Sequence, residues 1–154
     1  DLTGPGHAFV YVTDVALVRH GTGVPGSWNY EPAIGTGGEI PRLGNSSFRI
    51  QVSGMAGGVP VVIAGSTVRA TTSLQGLTLY GDFLTPGAFW TSSFIADGPT
   101  AFPGFGLARV TVPIPQDATL LGLQTYWQGF VLDPGSPLPI GVSHTQGLEV
   151  RVVR

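Results

Sequence analysis

The chain contains neither cysteine nor lysine. The first absence excludes a disulfide framework, thiolate chemistry and a Cys-based zinc site. The second removes the residue a P-loop needs, so the Gly-rich run 21–26 is not a phosphate cradle. Charged residues make up only 10% of the chain, and the seven arginines are scattered. With a formal charge of −2 there is no electrostatic footprint for nucleic acid or an anionic membrane. No run of ~18 apolar residues exists, so membrane insertion is not expected. No window keeps a period of 3.6, and no segment repeats at a fixed spacing.

Catalytic patterns are missing as well. No serine sits in a GxSxG elbow. The histidines His7, His20 and His144 lack metal-ligand spacing, and the acids form no DxDxDG calcium loop, so no metal and no cofactor is expected. A hydrolase would need two carboxylates within about 5–10 Å, and nothing in the spacing favours that. The expectation is a protein that is not an enzyme.

What the chain has is β-structure punctuated by turns. Glycine (24) and proline (13) are abundant, and 42% of residues are hydrophobic, which is not a disordered composition. Phe48, Ile50 and Val52 alternate with Arg49 and Gln51 over 46–54, the mark of a half-buried strand. Residues 59–64 form a short apolar run bounded by glycines. Further strands are expected over 68–70, 77–83, 89–96, 107–114, 123–132 and 147–153, with Asp117 capping one helical turn and 133–137 forming a turn. Many short strands with regular turn signals predict an all-β fold, a two-sheet antiparallel β-sandwich of the immunoglobulin-like or jelly-roll-like kind.

Residues 8–19 stand apart. One parity carries Phe9, Tyr11, Val15 and Leu17, the other Val10, Val12, Ala16 and Val18, so both faces want covering. Extended, the stretch spans ~40 Å, which is about the width of a domain of this size. Asp14 is its awkward residue: a carboxylate buried there costs several kcal/mol unless it is paired. Either Thr13–Asp14 marks a bulge or a gap between two halves of the strand, or an arginine meets it. Such a residue could equally fix the register. The organisation expected is an N-terminal strand arm (1–20), a Gly/Pro-rich tether (21–38) and a sandwich (39–154).

The C-terminal half resembles a known family. VPIPQDATLLGLQTYWQGFVLDPGSP (112–137) followed by GVSHTQGLEV (141–150) is similar to a secreted β-sandwich domain found in exported proteins of planctomycetes and myxobacteria. GTGVPG (21–26) and PRLGNSSF (41–48) resemble the opening of that domain. The resemblance implies an exported sandwich with no assigned activity and no known catalytic residues. Relatives carry a cysteine where this chain has Val24, so their disulfide is missing here. The start at Asp1 fits removal of a signal peptide or simple trimming. An extracellular or cell-surface location is therefore expected.

Two functions follow from these residues. In the first, the protein is the structural subunit of an extracellular filament or surface assembly. Phe9, Val10, Tyr11, Val12, Val15, Leu17 and Val18 of one copy complete the sandwich of the next by strand addition, so the partners are copies of itself. With Ala16 these make eight apolar side chains, which give an upper bound of ~12–24 kcal/mol before ordering costs. In the second, a monomeric secreted module binds polysaccharide by stacking on Trp28, Tyr30 or Trp90. Asn45 begins a glycosylation sequon, Asn45–Ser46–Ser47.

Overall fold

A computed structural model describes residues 16–100 and 102–154. The alternating segments become strands: β1 (Leu17–His20), β2 (Ala33–Gly35), β3 (Arg49–Met55), β4 (Pro60–Ser66), β5 (Thr72–Leu74), β6 (Leu77–Leu79), β7 (Phe89–Ile95), β8 (Gly106–Thr111), β9 (Gln124–Leu132), β10 (Val142–His144) and β11 (Gly147–Arg151). All paired strands run antiparallel. The larger sheet has the order β1-β11-β9-β4-β7, with β10 also on β9; the smaller has β2-β3-β8, and β5-β6 form a separate hairpin. Their inner faces meet, so the chain is an all-β sandwich.

Period-two alternation explains the core. Phe48, Ile50 and Val52, from just before and within β3, are buried together with Ile34 of β2 and Ala108 of β8. Opposite them lie Val61 and Ile63 of β4, Trp127 and Val131 of β9, and Leu148 and Val150 of β11. The close approach has a visible requirement at Gly129, where a β carbon would stand 2.4 Å from Val52 Cγ2. Strands β10 and β11 are one strand interrupted by a bulge. Pairing passes from His144 opposite Phe130 to Leu148 opposite Trp127, and Thr145 fills the gap. Its hydroxyl accepts the Gly129 N–H at 2.9 Å, which keeps the interrupted ladder satisfied.

Some local expectations need correcting. Residues 68–70 form no strand and Val68 is exposed, because the chain is leaving the edge of β4. The strand expected over 77–83 stops at Leu79, because the Tyr80 N–H donates to the Gln128 side chain instead of to a neighbouring strand. Strands β2, β5 and β10 are three residues each, too short to show alternation. The stretch expected as a tether contains β2, and its Val24 exchanges backbone hydrogen bonds with His144. Asp117 does cap a single turn, Ala118–Leu120, accepting the Thr119 N–H.

Candidate functional site

Of the stretch 8–19, Phe9, Val10, Tyr11, Val12 and Val15 lie outside the described residues. Leu17 and Val18 belong to β1, which pairs with β11 of its own chain, Leu17 opposite Val150 and Val18 opposite Glu149. Ala16 continues that ladder by accepting the Arg151 N–H at 2.8 Å. One edge of β1 is thus taken. Its other edge has no strand partner among the described residues, and the same holds for the outer edge of β2.

These two open edges face one cleft of about 510 Å³. Its walls are Leu17 and Arg19 of β1, residues 33–38 around β2, Gln51 and Ser53 of β3, and Leu148 of β11. Leu17 faces the core, and Arg19, two residues on, shares that side. The Arg19 guanidinium reaches across to β2, 3.0 Å from where a β carbon on Gly35 would stand. It is the only charged side chain among the described residues that line the cleft. Among the described residues no carboxylate comes within 4.0 Å of it, whereas Arg49 is paired with Glu39. Sandwiches ordinarily blunt or cover such edges, because unpaired backbone groups invite another strand.

A second site lies where the turn Ser27–Asn29 meets the turn after β9. Asp133 accepts hydrogen bonds from the Ser27 N–H (2.6 Å), the Ser27 hydroxyl and the Gly135 N–H (2.9 Å). Burial pushes the Asp133 carboxyl up, but the Ser27 and Gly135 donors outweigh it and hold it below the usual carboxylate range. The pinned turn forces Trp28 (φ 62°) and Asn29 (φ 60°) into the left-handed region, where a non-glycine residue costs ~1–2 kcal/mol. Trp28 is nonetheless 79% exposed. It shares a cleft of about 230 Å³ with Tyr30, Pro103, Asp133 and Pro134.

Trp90 is not part of that site. It sits opposite Gly65 in the β4–β7 pairing and stacks edge-on against Trp127 with ring centres 5.3 Å apart. A β carbon on Gly65 would stand 2.7 Å from the Trp90 indole, so the ring is a packing element at the sandwich margin. Asn45 serves its own turn, accepting from Ser47 N–H and hydroxyl and donating to the Ile40 carbonyl.

The buried polar residues form a structural network. Gln128 is fully buried; its carbonyl accepts the Tyr80 N–H, and its amide donates to the Thr78 and Thr145 carbonyls at 2.8 and 3.2 Å. His144 Nδ1 donates to the Thr145 carbonyl and Nε2 accepts the Thr78 N–H, an arrangement that suits the neutral ring. Burial accordingly lowers the His144 pKa below the usual imidazole value. Sequence spacing offers no hint of this cluster, because the three segments it joins (78–80, Gln128 and 144–145) lie 16 to 66 residues apart.

Among the described residues, no group of three His, Asp or Glu side chains is placed to hold a metal ion. No helix among the described residues is long and apolar enough to cross a membrane. No protein-family model, curated protein or solved structure matches the chain.

Proposed function

We propose that the protein is a structural subunit of an extracellular assembly, in which residues 8–15 of one copy enter the β1–β2 cleft of the next. The observation that carries this reading is the pair of open strand edges facing one cleft, in a chain that also holds a two-faced apolar stretch. Leu17 and Val18 are already engaged in β1, so the donated side chains reduce to Phe9, Val10, Tyr11, Val12 and Val15. At ~1.5–3 kcal/mol each, they give an upper bound of roughly 7–15 kcal/mol before ordering costs. Arm and cleft are different surfaces, so the contact is heterologous and propagates as a fibre unless it closes into a ring. The extracellular setting rests on the family resemblance of residues 112–150.

Sedimentation velocity on the full chain and on a variant lacking residues 1–15 tests the reading. The full chain is expected to form concentration-dependent oligomers and the truncated one to sediment as a monomer. Equal behaviour of the two overturns strand donation.

A second reading has its own support in Trp28, held in water on strained backbone beside Tyr30 and Asp133. Strained residues concentrate where a function requires them. An exposed indole with a neighbouring carboxylate suits the apolar face and hydroxyl groups of a neutral sugar. Retention of the protein in native gels containing neutral polysaccharide, lost in Trp28→Gly, would favour a binding module. Wild-type mobility unchanged by every polysaccharide tried counts against it.

A further inference from the structure

We infer that Arg19 of one copy pairs with Asp14 of the next, and that this ion pair sets both the register and the facing of the donated strand. The inference rests on the strand-donation reading above and adds to it a specific partner for each charge.

Charge complementarity carries the argument. The cleft presents one charged side chain, Arg19, with no carboxylate in ion-pair range among the described residues. Residues 8–18 contain one charge, Asp14. A strand entering the cleft would cover the guanidinium that now reaches across to Gly35, and a covered, unpaired cation is strongly opposed. An incoming carboxylate removes that objection and its own at the same time.

Geometry selects a second copy over the same chain. In an extended strand, residues five apart point to opposite faces and stand ~16 Å apart. Ala16 is still in the β1–β11 ladder, and were the strand to continue extended through residues 14 and 15, strand parity would put Asp14 on the side opposite to its own Arg19. Between residues 8 and 16 only Thr13 and Asp14 offer turn chemistry, and no Gly, Pro or Asn is present for a tight return. The Arg19 of a neighbour faces no such restriction.

Facing follows from parity. Asp14 shares its side with Val10 and Val12, so those two valines point between the sheets. Phe9, Tyr11 and Val15 then line the outer side, next to Val18 and His20 of the acceptor. A slip by one residue would send Asp14 to the outer side and leave Arg19 covered without a counter-charge.

Charge exchange in the full chain tests this by sedimentation velocity. Asp14→Arg and Arg19→Asp, each alone, should raise the concentration for half-assembly at least about tenfold. Mixed one to one, the two variants should assemble again as an alternating polymer, because each arm then meets a complementary cleft. The double variant should assemble alone. Asp14→Asn and Arg19→Gln, which add no repulsion, give the same reading if a charge reversal prevents folding; each should weaken assembly, and less than the reversals do. Single variants that assemble like the wild type, or reversals that neither mixing nor doubling rescues, overturn the ion pair. If that occurs while loss of residues 1–15 still abolishes assembly, strand donation stands and only the pairing falls. If the truncated chain assembles normally, both fall.

Discussion

The larger sheet treats its two vulnerable places differently. Over β9 and β4, the face turned away from the core is roofed: Gln128 ties down β6, Tyr80 packs on His20 and His144, and Phe83 packs on Phe130. At β1, two strands away in the same sheet, the outer edge has no strand partner among the described residues and is bordered by a cleft. Strand β9 therefore shows what a two-faced apolar sequence requires within one chain. Trp127 and Val131 are covered by the small sheet, Tyr126 and Phe130 from the other side, and the backbone is paired along both edges. The roof is held by hydrogen bonds whose loss leaves buried groups without partners. Among the described residues, the open edge has no such commitment.

Three measurements break or sharpen that contrast. The largest effect is expected from Gln128→Leu, which leaves the Tyr80 N–H and the Thr78 and Thr145 carbonyls without the partner they now have. At ~1–3 kcal/mol for a buried unsatisfied group, a loss of about 3 kcal/mol and a melting temperature lower by roughly 10 °C are expected in denaturant and thermal unfolding. Hydrogen exchange should accelerate first over residues 77–83. A loss below about 1 kcal/mol would mean that the roof does not depend on this network.

Acid loosens the same roof more gently. Burial lowers the His144 pKa in the folded chain, and burial with the nearby Arg69 charge lowers that of His20. Above the unfolded imidazole value of about 6.5, neither state binds the proton and the full stability is present. As the pH falls below it, the unfolded chain takes up protons that the folded one refuses, so stability declines toward the folded-state pKa. Denaturant midpoints compared at pH 7.5 and pH 5.5 should fall, ahead of any carboxylate titration, and His144→Asn should flatten the slope. A flat wild-type profile in that window would sink the assignment of a neutral ring.

The smallest effect belongs to the open edge. Val18 lies on β1 and is 39% exposed, so Val18→Thr, which keeps β-branching, should change stability by no more than about 0.5 kcal/mol. If it costs as much as a core substitution, the edge is already covered in the isolated chain.

The fold was legible where alternation was long enough to be read. Phe48–Ile50–Val52 and Leu148–Val150–Val152 alternate along their strands, and the sandwich core follows from them. The three-residue strands β2, β5 and β10 escaped, and so did the end of β6, because a glutamine 48 residues further on decides where it stops. The aromatic candidates were legible as exposed-or-core alternatives only. Trp28 and Trp90 are the same residue type among similar turn signals, yet one stands in water and the other lies against Trp127.

Composition and period alone determined that this chain forms antiparallel sheets, because side chains on a pleated strand alternate whatever the rest of the molecule does. Which strand would be covered on two sides, and which edge and which arginine would border the β1–β2 cleft, were decided by residues far apart in sequence. Those choices rest on burial and on hydrogen-bond satisfaction, and both exist only once distant segments have met.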